Sequence, residues 1–291
     1  MEQEYILKNQ ESFELADIFE CGQCFRWNKQ EDGSYIGIIK NAVINVRKEN
    51  EEIIFKGFFK GDFQKIITEY FDLETDYRVY KNQLKQIDSY LKESIEFGDG
   101  IRILKQDLWE CIISFIISAN NNIPRIKKII ERISEKYGDE IIWNEKKYYL
   151  FPTVESLSKA TVEDLRELGL GFRDKRVFNT TQMILKKEVD LEAIYKLNQT
   201  ECIRNELLKL DGVGEKVADC IMLFSLKRED VFPVDVWVRR VMNELYIHNE
   251  DEEKVNKLEI KQLASQKFLG LSGLAQQYLF YWKREEGKKV K

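Results

Sequence analysis

Residues 210–220 read Leu-Asp-Gly-Val-Gly-Glu-Lys-Val-Ala-Asp-Cys, a stretch that no single helix or strand accommodates. A helical pattern running from Thr200 to Leu210 stops at Asp211-Gly212, because glycine adopts backbone angles that end helices. After one more residue Gly214 leads into a second helix that begins near Glu215. The pattern is a helix-hairpin-helix. The first amides of its second helix have no internal acceptors. Such a helix end binds a phosphate through its N–H groups and its dipole. Gly212, Val213 and Gly214 are therefore candidate residues for gripping a nucleic-acid backbone.

Lys216 falls in the first turn of that second helix, and Asp235 follows nineteen residues later in Phe232-Pro233-Val234-Asp235. An ordinary lysine is protonated at neutral pH and is not a nucleophile. Desolvation, or the positive end of a helix, lowers its pKa and frees the amine. Cys220, four residues on, shares the helix face of Lys216. Taken alone, Lys216 reads more readily as a solvated lysine touching a phosphate. Asp235 shifts that balance. It opens the helical run Val236-Trp237-Val238-Arg239-Arg240, where aspartate is a good N-cap. It is also a carboxylate suited to a sugar C1′, where positive charge develops as a glycosidic bond breaks. One residue can serve both roles.

The 291 residues suffice for two or three packed units, and with 43% hydrophobic and 12% aromatic residues they can build a core. A net charge of −5 argues mildly against a nucleic-acid partner, but the charge is uneven. Residues 1–99 carry 13 basic and 20 acidic side chains, whereas residues 100–291 carry 33 and 31. A local basic groove is compatible with an acidic total. Five cysteines suit no disulfide scaffold, and Cys21-Gly22-Gln23-Cys24 is half a zinc site with nothing to complete it. The single histidine, His248, weakens mechanisms built on a Ser-His-Asp triad or a histidine-rich metal site. No apolar run has membrane length and Met1-Glu2-Gln3-Glu4 is polar. A soluble intracellular protein with no membrane partner is expected, cytoplasmic if prokaryotic.

The fold class expected is α+β. An N-terminal antiparallel sheet domain with helices, residues 1–99, precedes a mainly helical region, residues 100–291. Strands are predicted at Tyr35–Ile39, Ala42–Val46 and Glu52–Phe55, with helices at Phe63–Phe71 and Gln83–Glu96. Three- and four-residue apolar spacing then predicts helices at Trp109–Ser118, Arg125–Tyr137, Val162–Leu168, Lys175–Lys187, Cys202–Leu210, Glu215–Ser225, Val236–Tyr246, Lys257–Phe268 and Leu274–Arg284.

Six pieces in order now carry a family resemblance. They are Cys21-Gly22-Gln23-Cys24-Phe25-Arg26-Trp27, Phe115–Arg125 with its Asn120-Asn121-Asn122, Leu168-Gly169-Leu170-Gly171-Phe172-Arg173, the hairpin with Lys216, Pro233-Val234-Asp235-Val236, and Ala275-Gln276 through Phe280. Over nearly its whole length the chain resembles the 8-oxoguanine DNA glycosylases of the helix-hairpin-helix superfamily. The resemblance implies a bifunctional repair enzyme on double-stranded DNA that flips the damaged base into a pocket. Lys216 attacks C1′, displaces the base and forms a Schiff base, and β-elimination nicks the strand. Asp235 stabilises the oxocarbenium charge.

The same resemblance assigns the pocket. The Gly22 carbonyl accepts from N7–H, which 8-oxoguanine has and guanine lacks. Phe280 and Cys220 sandwich the base, and Gln276 bonds its Watson–Crick edge. Asn120, Arg125 and Arg173 read the cytosine left behind, and Phe172 is the wedge in the stack. The resemblance implies no cofactor, no catalytic metal and a monomer. Cys202 and Cys220 lack the spacing for the iron–sulfur cluster some relatives carry. Two departures stand out. Trp237 replaces a histidine that some members place two residues after the aspartate, and Pro124 directly precedes Arg125. Two alternatives remain open: a monofunctional alkylpurine glycosylase, which needs Asp235 but no lysine nucleophile, and a noncatalytic helix-hairpin-helix DNA-binding protein.

Overall fold

The computed structural model describes residues 2–8 and 10–289. The chain opens with β1 (Glu2–Lys8) and α1 (Leu15–Glu20), then β2 (Trp27–Lys29), β3 (Tyr35–Ile39), β4 (Ala42–Glu49) and β5 (Glu52–Phe58). These strands form an antiparallel sheet in the order β1-β5-β4-β3-β2. The three central strands are the predicted ones, and β1 and β2 extend the sheet at its edges. Trp27, Phe55 and Phe71 pack beneath the sheet, and the Trp27 indole N–H donates to the Tyr70 hydroxyl at 2.9 Å.

Next come α2 (Phe63–Tyr70), α3 (Tyr77–Lys85) and α4 (Ser89–Phe97). The single helix expected over Gln83–Glu96 is two helices. The Asp88 carboxylate accepts from Leu91 N at 2.9 Å and starts α4 afresh, because a capping aspartate competes with continuing the helix before it. Tyr77, Leu84, Leu91 and Ile95 of this pair join the large helical core. The region beyond residue 99 holds α5 (Leu108–Ser118), α6 (Ile123–Tyr137), α7 (Val154–Leu157), α8 (Val162–Glu167), α9 (Asp174–Leu185), α10 (Leu191–Lys196), α11 (Thr200–Leu207), α12 (Glu215–Leu226), α13 (Val236–Met242), α14 (Lys257–Lys267) and α15 (Ser272–Lys289).

Three other details differ from expectation. Helix α6 starts at Ile123 because Asn122 caps it, accepting from Arg125 N at 3.0 Å. Pro124 thus sits in the first turn, where its missing N–H has no intrahelical role. The helix expected over Val236–Tyr246 divides into α13 and a π-helical turn, Asn243–Ile247. A hairpin of β6 (Glu140–Trp143) and β7 (Lys146–Tyr149) was not predicted; its Trp143 packs with Ile38 and Val43 of the main sheet. No described helix is long and apolar enough to cross a membrane.

Candidate active site

Helix α11 ends at Leu207, and the turn through Leu210 to Gly214 leads into α12. Gly212 has φ +86°, and a β-carbon there would meet Arg176 Cδ at 2.9 Å, so this glycine is required both by angle and by packing. Thr180 Oγ1 donates to the Asp211 carbonyl at 2.7 Å and fixes the turn. Val213 is buried, whereas Gly214 is exposed with open space beside it. Gly214 caps α12 without a side-chain bond. Of the three predicted hairpin residues, Gly214 is thus the one whose surroundings admit a close-lying backbone. Sequence reasoning missed the lock beneath. Asp219 on α12 is fully buried between Arg204 of α11 and Lys261 of α14, the latter 2.8 Å away.

Lys216 is half-buried, with its Nζ 5.5 Å from the centre of the Phe115 ring. Asp235 caps α13, its carboxylate accepting from Val238 N at 2.7 Å. Burial disfavours the Lys216 ammonium, but Cys220 and Asp235 outweigh burial and hold its pKa above the ordinary lysine range. This corrects the expectation that the helix end and desolvation leave a free amine. Burial pushes the Cys220 thiol up to about 11, so at neutral pH the pair is an ammonium beside a neutral thiol. The hydrogen-bonded Cys220 and the Asp235 carboxylate together keep the proton on Lys216.

A protonated amine has no lone pair to donate, so the proton must leave before attack. We expect single-turnover base release to rise about tenfold per pH unit on its acid limb, as one deprotonation requires. In the DNA-free protein, side-chain nitrogen NMR should show Lys216 titrating above the ordinary range. A free-protein midpoint below that range would overturn this account.

Gly22 has φ +92°, and a β-carbon on it would stand 3.4 Å from Phe280 Cε1 and 3.3 Å from Arg284 Nη1. The glycine loop and α15 are therefore in contact, as the pocket assignment requires of Gly22 and Phe280. Gln276 lies one turn before Phe280, is buried, and accepts from Gln277 at 2.7 Å. Phe25, just after the glycine loop, meets Phe115 edge-on at 5.5 Å and links this group to the ring under Lys216. Gln23 went unnoticed in the sequence. It is fully buried, donates to the Ile18 and Arg102 carbonyls at 2.9 and 2.8 Å, and accepts from Leu104 N at 2.9 Å. It staples the glycine loop to the segment leading into α5.

The opposite-strand group gathers separately. Phe172 is 56% exposed, so its ring is accessible to a partner. The guanidinium of Arg173 lies 4.2 Å and that of Arg176 5.6 Å from the Phe172 ring centre. Burial, with the like charges of Arg125 and Arg176, holds Arg173 below the usual arginine range. Arg173 is buried and donates to the Ala119 and Asn120 carbonyls, at 2.8 Å from Nε and 2.7 Å from Nη2. In this state it braces the asparagine loop. Asn120 is exposed with φ +49°, and Arg125 is exposed and reaches the Gly169 carbonyl at 3.4 Å. Trp237 packs its ring toward Gly287 of α15, and its buried indole N–H has no partner among the described residues.

Known proteins resemble the chain over both of its parts. Residues 5–112 match the 8-oxoguanine DNA glycosylase N-terminal domain, and residues 113–265 match the HhH-GPD superfamily of base excision DNA repair proteins. An N-glycosylase/DNA lyase of Saccharomyces cerevisiae is 33% identical over 275 residues, covering 86% of this chain and 71% of that protein. The Clostridium acetobutylicum 8-oxoguanine glycosylase/lyase, solved with double-stranded DNA containing cytosine opposite 8-oxoguanine, is 46% identical. It superimposes with a TM-score of 0.92 over 99% of this chain and 98% of that one. A 3-methyladenine DNA glycosylase of Archaeoglobus fulgidus, 23% identical with a TM-score of 0.77, shares the fold over 96% of this chain and 98% of that one.

Proposed function

The chain belongs to the HhH-GPD superfamily of base excision DNA repair proteins and carries the N-terminal domain of 8-oxoguanine DNA glycosylases; on that premise we propose how its residues do the work. It is a DNA glycosylase with lyase activity, acting on 8-oxoguanine in double-stranded DNA, with cytosine opposite the lesion and as a monomer. The observation that carries this reading is Lys216, half-buried over Phe115 and under the influence of Asp235, at the start of the hairpin's second helix.

The extruded base enters between Phe280 and Cys220, with Gln276 at its Watson–Crick edge and the Gly22 carbonyl accepting from N7–H. Guanine puts a lone pair against the same carbonyl. An unpaired buried carbonyl costs about 1–3 kcal/mol, which supplies discrimination. Lys216 gives up its proton to solvent, and its lone pair forms a bond to C1′ as the C1′–N9 bond breaks toward the base. The departing base takes a proton at N9. Asp235, across from the developing oxocarbenium charge, lowers its energy. The second amine proton passes to O4′ as the C1′–O4′ bond opens, and the nitrogen lone pair completes the C1′=N double bond of the Schiff base. Removal of a C2′ proton then expels the 3′ phosphate. Asn120, Arg125 and Arg173 face the orphaned cytosine, and Phe172 fills the gap. No step calls for a cofactor or metal.

Borohydride trapping on a duplex with one 8-oxoguanine opposite cytosine tests the reading. A covalent adduct is expected with the lesion and absent with guanine. Base release without an adduct would mark a monofunctional glycosylase; binding without release would mark a DNA-binding module.

A further inference from the structure

Arg284 was not among the residues the sequence singled out, yet it stands at the edge of the base pocket. Its guanidinium carbon lies 5.3 Å from the centre of the Phe280 ring. Nη2 donates to the Glu20 carbonyl at the end of α1, just before the glycine loop, and Nε donates to Glu285 at 3.1 Å. Nη1 is buried, has no partner among the described residues, and sits 3.3 Å from the place a β-carbon on Gly22 would occupy. A buried guanidinium N–H without an acceptor is costly, and an arriving acceptor relieves that cost.

The helix dictates which edge of a base Nη1 meets. Gln276, Phe280 and Arg284 recur every four residues on one face of α15. Each four-residue step rises about 6 Å, a distance comparable with the long dimension of a purine. A base lying on Phe280 with its Watson–Crick edge toward Gln276 turns its imidazole edge toward Arg284 and Gly22. On that edge N7–H is taken by the Gly22 carbonyl, and the neighbouring acceptor is O8.

We propose that Arg284 is a further specificity-determining residue whose Nη1 donates to O8 of the extruded base, so that the two atoms distinguishing 8-oxoguanine from guanine are both read. This rests on the assignment of Gly22 and Phe280 to the pocket. With both contacts in place, guanine loses twice: N7 opposes a carbonyl, and the arginine donor stays unpaired.

The test is a cycle of affinities in the Lys216→Gln background, which prevents turnover. Duplexes carry 8-oxoguanine, 8-thioguanine, guanine or a tetrahydrofuran abasic analogue. 8-Thioguanine keeps N7–H and replaces O8 with a poor acceptor. Arg284→Met is expected to weaken 8-oxoguanine binding about 10- to 100-fold, the worth of a charge-assisted bond. It is expected to leave 8-thioguanine and the abasic analogue within about threefold, since no bond to Arg284 is lost there. Arg284→Lys keeps the charge and stem but not the Nη1 fork, and is expected to show the same pattern with an unchanged melting temperature. Equal loss on 8-oxoguanine and 8-thioguanine would assign Arg284 to holding Phe280 and Gly22 only, and overturn the O8 contact. Equal loss on the abasic analogue would mean a phosphate contact instead, and no loss at all would also overturn it. Failure of the underlying pocket assignment has a different signature: no preference for 8-oxoguanine over guanine even with Arg284 intact.

Discussion

Lys216→Gln will abolish the borohydride adduct and slow base release by at least about a thousandfold, because an amide nitrogen cannot replace an amine nucleophile. The fold will survive. The side chain touches the Phe115 ring at 5.5 Å and hydrogen-bonds the Cys220 thiol, and a cation–π contact of this kind contributes only about 0.5–2 kcal/mol. Removing a half-buried ammonium also relieves desolvation. DNA affinity then separates two roles for this lysine. A residue that only touches phosphate would, when neutralised, weaken binding to damaged and undamaged duplexes alike and reduce the salt slope by about one unit. A nucleophile enclosed by Phe115, Cys220 and Asp235 makes no such contribution. Affinity and salt slope are therefore expected to stay near the parent's while trapping disappears. A variant that still forms the adduct would reassign the nucleophile.

What the sequence made readable follows from the range of the interactions involved. The hairpin, Lys216 and the cap role of Asp235 are local: a glycine angle, a first helical turn and a bond to Val238 three residues on. The central strands are legible for the same reason, since β3, β4 and β5 are short β-branched runs with tight turns between them. Strand β1 hid because its exposure alternates along a charged edge, and β2 because three residues carry no periodicity. The split of α3 from α4 hid because Asp88 interrupts an apolar spacing that continues on both sides.

The supports of the site were out of reach for a different reason. Gln23 bonds to Arg102 and Leu104 about eighty residues away, and Arg284 bonds to Glu20 across 264 residues. Nothing in the spacing of Arg204, Asp219 and Lys261 announces that they form one buried ion cluster from three helices. The charge state of Lys216 was also misjudged from sequence. The helix end and burial both argue for a free amine, but Cys220, together with Asp235, which comes close only in three dimensions, reverses the sign.

That reversal makes Asp235→Asn the most informative second substitution. Asparagine caps a helix as well as aspartate does, so the bond to Val238 N is retained and the melting temperature should scarcely move. Asp235→Ala, by contrast, should cost about 0.5–2 kcal/mol through the lost cap. What asparagine removes is the charge. Without it the developing oxocarbenium ion lacks its stabilising carboxylate, and base release should fall about 100- to 1,000-fold. The same charge helps Cys220 hold the proton on Lys216, so its removal moves the lysine pKa down. At a preformed abasic site there is no glycosidic bond left to break, and amine availability matters more. Adduct formation there is expected to change by no more than about tenfold, the effect of one pKa unit, with its acid limb displaced to lower pH. Base release and abasic-site trapping should therefore part company in this variant. If both fall together, Asp235 serves chiefly to move protons for the lysine; if neither falls, its carboxylate does no more than cap α13.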